Sequence, residues 1–350
     1  MSHIVLIGGG HAHLGILRSL RKKNIIHKVT LISPSPFQYY SGMFSGFTEG
    51  IYTEDDIRVN VQLLCQEANV QFIEDTIEQI DPQTKKVMGQ KGSYSFDLVS
   101  FNIGSTSKAF DTNKIKPNFH FTKEISIFRA SERPVIIGGG AAGIELALST
   151  LAWRRRHNEE NPVILISSTP ILSTYGEKAS KRITDVARKK GLLIYENQRV
   201  KEVASTYILT DKEEIIPYSH VLPLTGPTGH ELFKSCSSSH DFLPVTSYLQ
   251  HPTYPYIFGA GDCIEIEDNP TLPKNGVYAV RQGSVLWDNM NHYLENKPLN
   301  TFTPQKQFLS ILSTGDKEGL FVYGSFSFHG RIAWKLKHYI DQKFMEKHKL

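Results

Sequence analysis

Residues 133–151 read RPVIIGGGAAGIELALSTL, and the reading of that stretch decides the fold. An apolar, β-branched run, Val135 to Ile137, leads into three glycines, and helical spacing begins directly after them. A strand buried in a parallel sheet has that composition. Gly138, Gly140 and Gly143 complete the pattern G-x-G-x-x-G in the strand–turn–helix context that gives it meaning. The first glycine makes the tight turn, the second lets the backbone approach a pyrophosphate, and the third lets helix and strand pack closely. Unpaired amides at the helix start, around Ala142, and the helix dipole then favour the anion.

The chain opens on the same elements. Residues 1–20 read MSHIVLIGGGHAHLGILRSL, with Gly8 and Gly10 in register and His13 where the third glycine would stand. Taken alone, this imperfect copy reads as readily as a structural glycine turn. The residues after it repeat as well: KVTLIS (28–33) corresponds to VILIS (163–167), and DLVSFNIG (97–104) to HVLPLTG (220–226). A recurring series of elements marks an internal duplication rather than two chance matches. Each copy is a βαβ unit with a right-handed crossover. The expected fold is α/β, with two Rossmann-like dinucleotide-binding domains.

Neither copy ends its second strand with the acidic residue that usually holds a ribose 2′-hydroxyl. Ser33 and Ser167 stand there, and no adjacent arginine marks a 2′-phosphate site, so NADH and NADPH both stay open. Glu145 lies two residues after the third glycine of the second copy, where an acidic side chain also suits the helix dipole. Between the copies, PSPFQYYSGMFSGFTEGIY (34–52) is expected to be a long, ordered and functional connection, given its turn residues and six aromatics.

With 350 residues, 40% hydrophobic and 21% charged, the chain has ordinary globular composition and room for two or three domains. A net charge of +4 is spread over short clusters such as RSLRKK and WRRRH, so nucleic-acid binding is not expected. Cys65, Cys236 and Cys263 are far apart and fit neither a disulfide framework nor a metal site. HIVLIG is already a core strand and no run of about 18 apolar residues exists, so a cytoplasmic protein without a leader is expected.

The third signal is PYIFGAGDC (255–263), an apolar strand delivering Gly261 and Asp262 at its carboxyl end. A carboxylate there can accept hydrogen bonds from a polyol. The three motifs together resemble the two-dinucleotide-binding-domain flavoproteins of the pyridine nucleotide-disulfide oxidoreductase superfamily, over essentially the whole chain. GGGHAH, YSGM, KNGVYAVRQG and GRIAWKLKHYID (330–341) resemble more closely the type II NADH dehydrogenase-like flavoproteins and the flavoprotein module fused to selenophosphate synthetase. That resemblance implies that the second domain is inserted in the first, followed by a small C-terminal region. FAD would lie on 1–108 and 232–297, NAD(P)H on 109–231, and 298–350 would carry an amphipathic helix. It implies an FAD set of Gly8, Gly10, His11, Ala12, His13, Ser33, Ile77, Gly104, Gly261, Asp262, Gly276 and Val277. Asp262 would contact the ribityl chain, the helix start at Gly276 the pyrimidine edge, and the histidines at 11 and 13 would flank the pyrophosphate, with a wider helix–strand contact at His13. The NAD(P)H set is Gly138, Gly140, Ala142, Gly143, Glu145, Ser167 and Gly226, with Glu145 beside the nicotinamide.

The resemblance implies an FAD-dependent oxidoreductase that passes hydride from NAD(P)H to the flavin and electrons to a small acceptor, a quinone or another molecule. An FAD- and NADH-binding sensor, or a partner subunit in selenium metabolism, is the alternative. The departures are informative. Disulfide reductases carry a cysteine pair after the first unit, where this chain has FQYYSGMF, so dithiol chemistry is not expected. Type II NADH dehydrogenases carry a glutamine-bearing A-Q motif where Gly276 and Val277 stand, which weakens the expectation of a quinone acceptor. Cys263 is expected to pack beneath the flavin as a small apolar residue. In the last helix Ile332, Leu336, Tyr339, Ile340 and Phe344 form one stripe among Arg331, Lys335, Lys337 and Lys343. A helix packed on its own domain has that pattern, and that reading is preferred; a helix lying on the inner face of a membrane has it too. A homodimer is also kept open.

Overall fold

The computed structural model describes residues 1–21, 26–107, 118–236 and 241–349. The first glycine unit comprises β1 (His3–Ile7), α1 (His11–Leu20), β2 (Lys28–Ser33), β3 (Gln71–Glu74) and β4 (Leu98–Phe101). The second comprises β5 (Pro134–Ile137), α2 (Ala141–Arg156), β6 (Ile164–Ser167), β7 (Leu193–Glu196) and β8 (His220–Pro223). Strand β9 (Ile257–Gly259) and helix α3 (Gly276–Leu294) follow, and α4 (Arg331–His348) is the C-terminal helix.

Each unit forms a parallel sheet. One has the order β9-β4-β1-β2-β3 and the other β7-β6-β5-β8. The first strand of each copy is central, flanked by the second strand on one side and by LVSF or HVLP on the other. The duplication read from the sequence is therefore a duplication of topology. Residues Ile4 to Ile7 are buried, as a strand covered on both faces must be. Helix α1 buries Ala12, Leu14, Ile16, Leu17 and Leu20, and α3 lies against it. Gly283 permits that approach, because a Cβ there would stand 3.0 Å from the Ala12 carbonyl oxygen.

The stretch 34–52 is ordered, as its aromatics led one to expect: it forms a strand at Phe37–Tyr39, a tight turn at Ser41–Met43 and a helix at Phe44–Glu49. Its aromatics are the reason, with Phe44 and Phe47 buried and Phe44 set edge-on to Phe121 at 5.2 Å. Helix Glu177–Lys189, between β6 and β7, buries Ala179, Ser180, Ile183, Thr184 and Ala187 on one face. The expected boundary at 108–109 lies outside the described residues.

The largest correction concerns α4. Most of its apolar stripe does not pack on the protein: Ile332 is 74% exposed, Tyr339 60% and Ile340 41%, while Phe344 at its end stacks on Tyr40 at 4.2 Å. The inward face is instead Ala333, Lys337, Asp341, Met345 and His348, with Phe344 half-buried beside them. Lys337 and Asp341 can face inward because each is satisfied there. They pair with one another at 3.0 Å, Lys337 Nζ donates to the Gly42 carbonyl at 2.6 Å, and the Tyr40 hydroxyl donates to Asp341 at 3.1 Å. Among the described residues no helix is long and apolar enough to cross a membrane.

Candidate functional site

At the first turn Gly8 adopts φ +87° and donates its amide to the Ile32 carbonyl at 2.8 Å. A Cβ at Gly10 would collide with the side chain of Asn102, the residue following β4. Asn102 also takes the helix-start amides of Ala12 and His13 on its Oδ1, at 2.9 and 3.3 Å. The His11 amide meets no acceptor among the described residues, so it is the helix-start donor left for an anion.

The His13 ring does not flank that position. It is buried between α1 and the sheet, with Nδ1 2.7 Å from the Gly8 carbonyl oxygen and Nε2 2.9 Å from Ser100 Oγ. Burial, opposed by the Gly8 hydrogen bond, holds its pKa at about 4, so it stays neutral. The wider helix–strand contact expected at this position follows from the second copy. A Cβ at Gly143 would overlap the Gly138 carbonyl oxygen, so a residue with a side chain at position 13 requires α1 to stand further from its turn. His11, in contrast, lies at the mouth. Its ring meets Tyr40 at 5.5 Å and Phe344 at 5.2 Å, and a Cβ at Gly276 would touch it at 3.4 Å.

The second turn is more open. Gly138 has φ +126°, and the amides of Ala141, Ala142 and Gly143 meet no acceptor among the described residues. Nothing lies within 4 Å of a Cβ built at Gly140 or at Gly226. Ser167 is buried and donates its hydroxyl to the Thr169 carbonyl at 2.6 Å, leaving it able only to accept. Ser33 is buried at the matching end of β2. Ile77 begins a three-stranded meander, Ile77–Asp81 with Lys86–Gly89 and Ser93–Ser95.

Beyond β9, Gly261 has φ +77° and donates its amide to Gln282 Oε1 at 2.6 Å. Asp262 follows, half-buried, accepting no hydrogen bond from the described residues. Burial, opposed by Lys274, pushes its carboxyl up to about 6. The α3 start is partly spent: Asn275 caps Val277 and Tyr278 at 3.1 and 3.2 Å, so Gly276 carries the open amide. Gly104, at φ +74°, accepts His230 Nε2 at 3.1 Å. Cys65, Cys236 and Cys263 are free and buried, and burial pushes their thiols up to about 12, 11 and 12.

A second group of side chains was missed by sequence reasoning. Glu145 accepts the Ser313 amide at 2.6 Å, within electrostatic reach of Lys337, Asp341 and Tyr40. Burial raises the carboxyls of Glu145 and Asp341, and Lys337 opposes both shifts. Burial alone would lower the Lys337 ammonium, but Asp341 and Glu145 carry it above its ordinary value. Asp341 thus pairs directly with Lys337, while Glu145 lies within its electrostatic reach. Tyr52 adds a hydrogen bond to His338 at 2.6 Å. The helix-dipole reading of Glu145 is therefore insufficient, because its carboxylate ties α2 to the C-terminal sheet and helix. A signal existed: a lysine and an aspartate at i, i+4 between the apolar residues of α4.

A family model described as pyridine nucleotide-disulphide oxidoreductase matches residues 2–283. The chain belongs to that family. A probable NADH dehydrogenase of Dictyostelium discoideum is 25% identical, covering 95% of this chain and 84% of its own length. A sulfide-quinone reductase of Aquifex aeolicus is also 25% identical, over 91% of this chain and 83% of its own. Among solved structures, the sulfide:quinone oxidoreductase of Aquifex aeolicus superposes with a TM-score of 0.82 at 22% identity, covering 100% of this chain and 92% of that one. NDH2 from Plasmodium falciparum in complex with NADH gives 0.83 at 12% identity, over 98% and 96%. These two superpositions carry the fold.

The protein is thus an oxidoreductase with FAD and NAD(P)H as cofactors. The residues present fit both groups. The open space at Gly140 and the three unpaired amides of α2 suit a pyrophosphate, and the unpartnered Asp262 carboxylate suits a ribityl hydroxyl.

Proposed function

We propose that the chain passes hydride from NAD(P)H to FAD and electrons onward to a quinone-like acceptor, without a redox-active cysteine pair. FAD is held by 1–108 and 232–297 through Gly8, Gly10, His11, Asp262 and Gly276. NAD(P)H is held by 109–231 through Gly138, Gly140, Ala142 and Gly143. Bound FAD supplies the two-electron carrier at which hydride arrives and from which electrons leave. Glu145 stands where α2, α4 and the Ser41–Met43 turn meet, and orients the nicotinamide end of the donor. A quinone takes two electrons and two protons, so its site needs a proton source. The observation that carries this reading is the Glu145–Lys337–Asp341–Tyr40 group, in which Lys337 pairs with Asp341 and lies within electrostatic reach of Glu145. The buried, high-pKa thiols support a route that uses no dithiol. Steady-state oxidation of NADH with a short-chain quinone, a dye and oxygen tests it. The quinone is expected to turn over fastest and to lose rate when Asp341 is replaced by asparagine. Oxidation with dye alone contradicts the reading.

The acceptor reading extends to location. The outward face of α4 presents Ile332, Leu336, Tyr339 and Ile340 among Arg331, Lys335 and Lys343, which suits an anionic lipid surface. Each basic residue near such a surface contributes about 1 kcal/mol, and the apolar side chains add burial. The protein is expected to float with anionic vesicles and not with neutral ones, and progressively less as salt screens the charge. Ile332→Glu with Tyr339→Glu is expected to abolish flotation while FAD is retained. Equal recovery with neutral vesicles, or a salt-independent dimer closing over this face, contradicts it.

A further inference from the structure

The two parts of the first cofactor site converge on Asn102, a buried polar residue directly after β4. Its backbone carbonyl accepts the Gly10 amide at 3.1 Å. Its side-chain oxygen accepts Ala12 and His13 at 2.9 and 3.3 Å, and its side-chain nitrogen donates to the Ala260 carbonyl at 2.7 Å. Both neighbouring glycines are shaped by it. A Cβ at Gly10 would collide with its side chain, and one at Gly261 would stand 2.6 Å from its nitrogen. The second copy has Leu224 at the matching position, where its amide bonds Ile137 as that of Asn102 bonds Ile7, at 2.7 and 2.9 Å. A leucine side chain can neither accept nor donate, and there the helix-start amides stay unpaired.

We propose that Asn102 is a positioning residue for FAD. It fixes the spacing between the Gly8–His11 turn and the Gly261–Asp262 loop. By occupying the Ala12 and His13 amides with a neutral oxygen, it leaves the His11 amide to the pyrophosphate. The inference rests on the FAD reading above.

The chemistry makes the test specific. Only a side chain that accepts on one atom and donates on the other can bridge α1 and Ala260. A protonated aspartic acid does both; an aspartate cannot donate and brings a negative charge against the pyrophosphate. In Asn102→Asp the Kd for FAD, divided by that of the wild type at the same pH, is expected to rise about tenfold or more near pH 8. At a lower pH the ratio is expected to fall, because protonating the carboxyl restores a donor to Ala260 and removes the charge. Taking the ratio cancels the groups that titrate around Asn102 in both proteins. These are Asp262, pushed up to about 6; His11 and His13, held near 4; Lys274, lowered; and the Cys263 thiol, near 12. NADH binding to the FAD-free protein is measured alongside, and is expected to be unchanged because the second turn does not touch Asn102. Asn102→Ala, which can neither accept nor donate, is expected to lose FAD affinity equally at both pH values while keeping NADH binding. A ratio near one in either variant at the higher pH, or an equal loss at both pH values in Asn102→Asp, overturns the proposal. A wild-type protein that binds no FAD overturns the cofactor reading instead.

Discussion

Asp262→Ala is expected to fold, to bind NADH as the parent does, and to release FAD during purification. The carboxylate reaches the end of β9 on a chain turn that only glycine at 261 permits, and it accepts no hydrogen bond from the described residues. A ribityl hydroxyl is the donor that fits it. A hydrogen bond to a charged group is worth about 1.5–3 kcal/mol, or roughly ten- to a hundredfold in Kd. The linkage gives an independent reading. Burial, against Lys274, holds this carboxyl at about 6 in the folded chain, above the roughly 3.9 of an unfolded one. The folded state therefore binds the extra proton between those values. FAD-free protein should lose stability as pH rises from about 4 to about 6, and change little above that for this group. Asp262→Asn should flatten that segment of the profile. Denaturant midpoints across the range measure it, and an identical slope in parent and variant would falsify the assignment.

Lys337→Met carries the second large effect. It removes the ammonium paired with Asp341 and within reach of Glu145, and breaking a buried pair by deleting one partner costs about 3–5 kcal/mol. A lower denaturation midpoint is expected, with both carboxyls taking up protons at higher pH than before. Acceptor reduction should slow more than flavin reduction by NADH, since the lysine lies on α4 and the donor site on α2. Glu145→Gln separates the two halves further. The amide still accepts the Ser313 N–H but carries no charge, so the flavin spectrum should be unchanged while reduction by NAD(P)H slows in stopped-flow. Identical rates in variant and parent would show that Glu145 serves only to anchor the C-terminal sheet.

The duplicated units were legible because each is specified locally. An apolar β-branched strand, a glycine turn and a helix start are contiguous, and LVSF and HVLP follow at matching places. The fate of His13 was not, because its ring is fixed by Ser100, across the sheet and far along the chain. Asn102 was not legible either, because its role depends on Gly10 and Ala260 arriving from two directions. The C-terminal helix misled for a physical reason. An apolar stripe is ordinarily the buried one, yet here Lys337 and Asp341 turn inward because the Gly42 carbonyl and the Tyr40 hydroxyl, some 300 residues away in sequence, receive them. The polar cluster around Glu145 was hidden in the same way, since its members come from three separated segments.

One chain is expected to hold FAD and NAD(P)H so that hydride passes between them. Anaerobic titration of the purified, FAD-loaded protein with NADH and with NADPH, followed by absorbance, tests it most directly. The visible flavin band is expected to bleach with one equivalent of at least one of the two nucleotides and to return when a quinone is added. A protein that takes up no FAD, or whose flavin band persists with both nucleotides in excess, would contradict the account.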